Sequence, residues 1–173
     1  MRKMLALAVL LFLVPACATA QNTPDAEVFA GATVLTTSVL TMEGVNASVN
    51  GNVNDWLGIK ADFSAAYGRL VIADVRAYTF TFGPQFSYRK NKKIVPFAHA
   101  LFGGAHATAG ILGLSFSDNS FAMNFGGGMD WVVHKNIAIR VLQVDALVTR
   151  FSHDVSTDPR VSVGVVFRFG KKR

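Results

Sequence analysis

The chain has 173 residues, a length that suits one domain. Hydrophobic residues make up 51% of it and charged residues 16%, where soluble domains average about 25% charged. The net charge of +6 is spread over turns and the C-terminal tail, without a basic stripe that carries aromatic residues, which argues against nucleic-acid binding. Fourteen Phe and fifteen Gly favour an all-β protein with close backbone contacts.

The N-terminus has the features of a secretory signal peptide. Arg2 and Lys3 precede an apolar stretch at residues 4–14, and small residues end at Ala20. We therefore predict a signal peptide at residues 1–20 and a short periplasmic tail at residues 21–25. A lipoprotein site at Cys17 is the alternative, although the residues before Cys17 fit such a site poorly. Cleavage after Ala20 would leave a mature chain without cysteine.

Eight segments of the mature chain alternate between apolar and polar residues, with the period of two that is typical of strands. The predicted strands are residues 27–35, 45–53, 56–67, 75–88, 94–106, 120–133, 137–151 and a last strand that ends at Phe169. A polar loop is expected at residues 36–44, a loop rich in small residues from residue 107 to about Asn119, and a last loop at residues 152–159. A basic tail at residues 171–173 follows the last strand.

The two faces of these strands decide between two kinds of eight-stranded barrel. One face is largely Ser, Thr, Asn, Gln and Gly with few Lys or Glu, which is unlike the outside of a soluble lipocalin-like barrel. The other face is aromatic, most clearly in the fourth strand, which presents Tyr78, Phe80, Phe82, Phe86 and Tyr88. The pattern predicts an all-β, eight-stranded antiparallel transmembrane β-barrel at residues 26–170, with the apolar face towards lipid.

Three local features refine this prediction. His99 is placed inward, because an unpaired imidazole that faces lipid is costly. Pro84 lies within the fourth strand, where it removes a ladder hydrogen bond or marks a bulge. In the seventh strand, Arg140, Gln143 and Asp145 cannot share one face at period two, so we predict a β-bulge between Arg140 and Gln143.

The last strand carries a second signal. Gly164, Phe167 and Phe169 form a polar-x-Gly-x-x-aromatic-x-aromatic pattern that resembles the C-terminal signal of bacterial outer-membrane β-barrels. In that family the barrel-insertion machinery reads this strand, which closes the barrel against the first one. The family's signal ends on its last aromatic residue, whereas here residues 170–173 follow.

Nearly the whole mature chain resembles bacterial outer-membrane β-barrel proteins of the OmpA-like, opacity-type (porin-like) family. The resemblance lies in the strand patterns of residues 44–68, 78–88, 96–104, 118–128 and 136–151. It implies a location in the bacterial outer membrane among its lipids and lipopolysaccharide. It also implies periplasmic termini, three short periplasmic turns and four outer loops. The loops carry no motif that names an extracellular ligand.

The charged residues on the inward face are expected to pair, since a lone charge in a small barrel is costly. They are Glu27, Lys60, Asp62, Asp130, Arg140, Asp145 and Arg168. A three-residue turn at residues 134–136 would pair Val133 with Ile137 and set Asp130 opposite Arg140. The seam between the first and last strands would set Glu27 near Arg168. These pairs would fill the lumen with side chains.

Catalysis has little support in the sequence. Some outer-membrane barrels are lipid A deacylases or acyltransferases that use His and Ser with an acidic residue, and His153 has Ser152 and Asp154 beside it. Adjacent residues of a strand point to opposite faces, however, so this trio is not expected to act together. We expect no enzyme, cofactor or metal site. The predicted role is structural or surface interaction; the alternatives are a lipid-modifying hydrolase and, more weakly, a small-solute channel.

Overall fold

The computed structural model describes residues 23–38, 40–70, 73–111, 114–151 and 154–170; the predicted signal peptide and the basic tail lie outside them. In the described residues eight antiparallel strands form a closed barrel in sequence order. They are β1 (Ala26–Thr36), β2 (Thr41–Asn52), β3 (Leu57–Leu70), β4 (Ala73–Ser87), β5 (Ile94–Ile111), β6 (Leu114–His134), β7 (Ile137–Phe151) and β8 (Asp154–Phe169). Within those ranges no helix is long and apolar enough to span a membrane. The predicted fold class is confirmed.

The barrel is inverted relative to a soluble protein. Lys60 is fully buried inside the barrel, whereas Phe82 on the outside is 57% exposed. The aromatic face of β4 and the valine and phenylalanine face of β8 both point outward. A soluble lipocalin-like barrel would reverse this arrangement, so the burial pattern agrees with a barrel that faces lipid.

The barrel has two ends that differ in their connections. The turns at residues 53–56, 88–93 and 135–136 lie at one end together with Asp25 and Gly170, and we call this the terminal end. The last residues of β1, β3, β5 and β7 and the first residues of β2, β4, β6 and β8 lie at the opposite, distal end. The connections are short because the strands extend over almost the whole length of the barrel.

The strands are longer at the distal end than the sequence predicted. β2 begins at Thr41, β5 continues to Ile111, β6 begins at Leu114 and β8 begins at Asp154, so much of the three predicted loops is strand. Residues 36–44 are mostly polar and the stretch after residue 106 is rich in small residues, so the sequence predicts loops where the strands in fact continue.

Two projecting hairpins at the distal end have unpaired edges. β6 pairs with β5 as far as Leu114, but its pairing with β7 begins only at Phe121. Within the described ranges, residues 114–120 therefore have a strand neighbour on one side only. In the same way, β8 pairs with β1 only up to Arg160, so residues 154–159 have β7 as their single neighbour.

The predicted β-bulge in β7 is confirmed. The register of β7 against β8 shifts between Arg140 and Gln143, and both of these side chains are buried. Val141 and Leu142 between them are both exposed, at 45% and 46%. Because two consecutive residues point outward, Gln143 points into the lumen like Arg140, as the sequence predicted.

The turn between β6 and β7 differs from the prediction. It has two residues, Lys135 and Asn136, and His134 pairs with Ile137. Val133 is the extra residue in a register shift between Val132 and His134, so it has no partner in Ile137. The shorter turn and the extra residue compensate each other, and Trp131 still lies opposite Ile139.

Pro84 interrupts a ladder without shifting it. β4 and β5 pair at Phe82 with Phe102 and again at Gln85 with His99, in one continuous register. The missing donor of Pro84 therefore removes hydrogen bonding locally and creates no bulge.

Candidate functional site in the barrel lumen

Arg160 occupies the centre of the lumen. Its Nη2 donates to Asp62 Oδ1 of β3 at 2.9 Å and to Asp145 Oδ2 of β7 at 2.8 Å, and its Nε donates to the same Asp145 oxygen at 3.0 Å. All three side chains are at most 1% exposed. One guanidinium on β8 thus links a neighbouring strand to a strand across the barrel.

Arg140 forms a second buried pair with Asp130. Its Nε and Nη2 donate to the two carboxylate oxygens at 2.7 and 2.9 Å, which is the bidentate geometry that a guanidinium favours. The guanidinium also lies 4.4 Å from the ring centroid of Phe29 and 4.3 Å from that of Phe97. The structure thus brings together the pair expected from the strand register.

Gln143 joins the two pairs into one network. It accepts a hydrogen bond from Arg140 Nη1 at 2.7 Å and donates through Nε2 to Asp145 Oδ2 at 2.7 Å. Its Oε1 also accepts from Lys60 Nζ at 3.4 Å, and Lys60 lies 3.6 Å from Asp62. The predicted lumen charges on β3, β6 and β7 therefore form a continuous buried network with Arg160.

His99 points inward, as predicted, and contacts this network from β5. Its Nε2 lies 3.0 Å from Asp145 Oδ1 and its Nδ1 lies 3.5 Å from Lys60 Nζ. The contact between His99 and Asp145 crosses β6 at Gly126, which pairs with both of them. A Cβ on Gly126 would collide with Asp145 Oδ1 and lie 2.5 Å from the Val144 carbonyl oxygen, so glycine leaves the space that this contact needs.

A separate ionic cluster lies at the terminal end. Arg89 donates through Nη2 to Glu27 Oε2 at 2.9 Å and through Nη1 to Glu27 Oε1 at 3.3 Å. Arg168 donates to Glu27 Oε1 at 3.3 Å, so the expected pair of Glu27 with Arg168 is present, with Arg89 as the closer partner. Burial lowers the pKa of Arg89 from its ordinary value, although Glu27 acts in the opposite direction. An arginine remains charged under such a shift.

Sequence reasoning missed Arg160 and Arg89, although a signal for each was present. Arg160 is an even number of residues from the inward residues of β8, but it directly follows the predicted loop at residues 152–159. Arg89 is an even number of residues from the inward Gln85 and Ser87, but it directly follows the predicted end of the fourth strand at residue 88. Extending the alternation by one inward position in each strand would have identified both arginines.

An apolar layer covers the network on its distal side. Its buried members are Leu35, Met42, Ala66, Ala105, Ala122 and Leu147, with Leu40, Val75 and Ala77 packed against them. Leu35 pairs with Arg160, and Leu147 is the next inward residue of β7 after Asp145. The lumen therefore changes from charged to apolar within one layer of side chains.

The two other histidines among the described residues, His106 and His134, lie outside this network. His106 is exposed, with Nδ1 at 2.8 Å from Asn119 Oδ1 and Nε2 at 3.3 Å from Thr108 Oγ1. His134 is also exposed, and His153 with Ser152 lies outside the described residues. Among the described residues, no group of three or more His, Cys, Asp or Glu side chains could hold a metal ion.

The three residues of the C-terminal pattern occupy both faces of β8. Phe167 and Phe169 point outward and are 43% and 52% exposed. Gly164 lies opposite Gly31 of β1, where a Cβ would meet the Ala30 carbonyl oxygen. The aromatic pair thus faces lipid, while the glycine permits a close approach at the seam.

Replacing Arg160 by methionine should destabilise the barrel strongly. The change leaves Asp62 and Asp145 buried without their main cation, and breaking a buried pair in this way costs about 3–5 kcal/mol. Urea unfolding in lipid vesicles measures the free energy of unfolding. Arg150→Met on β7 is the matched control, because Arg150 is exposed and its loss should cost less than about 0.5 kcal/mol. Equal stabilities of the two variants would contradict the central role of Arg160.

Replacing Gly126 by alanine should also destabilise the barrel, because the new methyl group collides with Asp145 and with the β7 backbone. We expect a cost of about 1–3 kcal/mol, the range for overpacking. Gly51→Ala is the control, since a Cβ there meets nothing within 4 Å. The same urea titration checks both variants, and a Gly126→Ala protein as stable as Gly51→Ala would show that β6 has room for a side chain.

Comparisons with known proteins agree with this architecture. Residues 4–169 match the family model of the outer membrane protein beta-barrel domain. The structure is similar to that of Ail, the attachment invasion locus protein of Yersinia pestis, with 20% identity over 85% of this chain and 99% of that chain at a TM-score of 0.60. It is also similar to Neisserial surface protein A, with 14% identity over 83% of this chain and 96% of that chain at a TM-score of 0.65.

A third similar structure is the outer membrane protein OprG from Pseudomonas aeruginosa, with 9% identity, coverage of 86% of this chain and 97% of that chain, and a TM-score of 0.56. No curated protein matches the sequence. The structural matches concern the fold, whereas the family model covers nearly the entire chain. The chain belongs to the outer-membrane β-barrel protein family, and its location is the bacterial outer membrane.

Proposed function

We propose that the protein is a surface-interaction protein with a closed lumen, whose distal end faces the outside of the cell and whose terminal end faces the periplasm. The observation that carries this proposal is the combination of a filled interior and exposed strand edges at the distal end. A filled interior leaves the surface as the place where a partner can bind.

The closed lumen is supported by two successive layers. Arg160, Asp62 and Asp145 fill the centre with mutually paired charges, and the apolar layer around Leu35 and Leu147 covers them. An eight-stranded barrel has an interior just wide enough for side chains. A solute would have to break buried ion pairs in order to pass.

The unpaired edge of β6 supports binding of a partner. Within the described part of the chain, residues 114–120 pair with β5 but with no strand on their other side, and such an edge can accept an extended segment of another protein by strand addition. The name of Ail, an attachment invasion locus protein, points to the same kind of role in a protein of this fold. We propose that the partner is an extracellular protein that contributes an extended strand.

An attachment assay tests this function. Bacteria that display the protein should attach several-fold better than barrel-free bacteria to at least one surface in a panel coated with extracellular matrix proteins. Ser117→Lys with Asn119→Lys should lower attachment, because lysine on an edge strand disfavours strand addition. Thr108→Lys with His106→Lys is the matched control, since these residues pair with Ser117 and Asn119 but lie on β5, which has strand neighbours on both sides.

Four outcomes would contradict the proposal. Attachment no better than that of barrel-free cells on every surface would remove the surface role, and equal loss in both lysine pairs would remove the role of the edge. Stable large-conductance channels in planar bilayers would show an open lumen. A changed lipid A profile in cells that carry the protein would favour the hydrolase instead.

We further propose that Gly164, Phe167 and Phe169 act as the insertion signal. Phe169→Ala should lower the amount of folded protein in the outer membrane several-fold while export continues, because the insertion machinery would lose its terminal aromatic contact. Phe86→Ala is the control, as it removes the same group from the lipid-facing side of β4. Immunoblots of outer-membrane fractions, run with and without boiling, measure the folded protein. Equal folded amounts of the two variants would refute a special role of Phe169.

A further inference from the structure

A groove runs along the outside of β5 at the terminal half of the barrel. The outward residues of β5 there are small, namely Pro96, Ala98 and Ala100, whereas most outward positions of the neighbouring strands carry large side chains. Ala98 pairs with Gly127 of β6, so the floor of the groove is low on that side as well. The bottom of the groove is therefore mostly backbone and Cβ atoms.

Two ridges of large apolar side chains enclose this floor. One ridge consists of Phe86, Tyr88 and Trp56, and the other of Phe125, Met129 and Trp131. Phe86 pairs with Ala98, while Met129 pairs with Pro96 and Phe125 with Ala100, so the ridges flank the floor directly. Phe86 lies on β4 and Tyr88 directly follows this strand, whereas the second ridge lies on β6. β4 and β6 are about 10 Å apart, because β5 lies between them.

The first ridge contains a stacked pair of rings and borders a recess. The rings of Trp56 and Phe86 are stacked with centroids 6.0 Å apart. Between this ridge and Pro96 and Ala98 lies a shallow, mainly apolar recess of about 430 Å³. That volume is within the range of roughly 300–1,000 Å³ that is typical of small-molecule sites. The shape suits one extended hydrocarbon chain.

The mouth of the groove at the terminal end is basic. Lys90, Lys92 and Lys93 are exposed on the turn between β4 and β5, and Lys135 is exposed on the turn between β6 and β7. Neither turn, at residues 88–93 and 135–136, contains Asp or Glu. Lys90 Nζ lies 5.8 Å from the ring centroid of Tyr88, which places one ammonium group directly beside the first ridge. The mouth is therefore suited to an anionic group.

We propose that this groove binds one anionic glycerophospholipid, with an acyl chain along Pro96, Ala98 and Ala100 and its phosphate at the lysines of the two turns. Charge and shape together select this occupant. The apolar groove accepts a chain, the cations accept a phosphate, and the two features meet where a membrane interface places headgroups and aromatic belts. The site goes beyond the proposed function, because it uses neither the distal end nor the lumen.

Native mass spectrometry of the folded, full-length mature protein tests the proposal. The protein in detergent is titrated with phosphatidylglycerol and, separately, with phosphatidylcholine of the same acyl chains. We expect a single phosphatidylglycerol to remain bound at activation energies that remove phosphatidylcholine. Ala98→Leu, which fills the groove, and the triple change Lys90→Gln, Lys92→Gln, Lys93→Gln should each reduce the retained fraction several-fold.

Matched controls separate the groove from general effects on lipid contact. Ala47→Leu makes the same substitution at another exposed, outward position, on β2. Arg69→Gln, Arg76→Gln and Arg150→Gln remove the same charge from exposed residues nearer the distal end. Both controls should retain phosphatidylglycerol like the wild type. Gel mobility with and without boiling establishes that each variant is folded before it is titrated.

Several results would overturn the proposal. Both phospholipids contain a phosphate, so equal retention of the two would remove the role of the lipid's net negative charge. A normal retained fraction with Ala98→Leu would remove the groove. An equal loss of bound phosphatidylglycerol in the triple arginine variant would show that retention depends on net charge alone. Displacement of phosphatidylglycerol by added lipopolysaccharide at equal concentration would assign the groove to a different lipid. Each of these outcomes is independent of attachment, so the phospholipid site and the proposed surface role can fail separately.

Discussion

The bridge that Arg160 makes between Asp62 and Asp145 is the interaction on which the interior depends. A membrane barrel places apolar side chains outside, so its interior must be filled by polar groups that satisfy one another. A single guanidinium that binds carboxylates from β3 and β7 meets this demand across the full width of the lumen. Lys60, His99, Gln143 and Arg140 then find partners around the same two carboxylates, directly or through Gln143.

Two local departures from regular strand geometry make that network possible. The bulge in β7 turns both Arg140 and Gln143 inward, which a regular strand with an odd spacing would prevent. Gly126 in β6 lets Asp145 and His99 meet over an intervening strand. The chain thus has a bulge or a glycine at the positions where the polar contacts need space. Elsewhere the pairing between neighbouring strands is nearly continuous.

The sequence predicted the barrel, its inverted faces and most lumen charges because each depends on period-two alternation and on the cost of an unpaired charge. It also predicted the pairing of Asp130 with Arg140, although by a turn that is one residue too long. The compensating extra residue Val133 could not be seen, since a bulge on an outward valine leaves no polar signature. Arg160 was missed because it lies directly after residues 158 and 159 of the predicted loop, although it continues the alternation of the inward residues of β8.

Lumen and surface therefore have opposite chemical roles. In the network around Arg160, each charge has at least one partner on another strand, and we propose that this filled interior closes the path through the barrel. The strand edge at residues 114–120 and Lys90 beside Tyr88 lie on the outside. We propose that the edge binds a polypeptide, and that the lysines and the apolar groove bind a lipid. On these proposals a barrel with a closed lumen has two kinds of partner, which are separated along its axis.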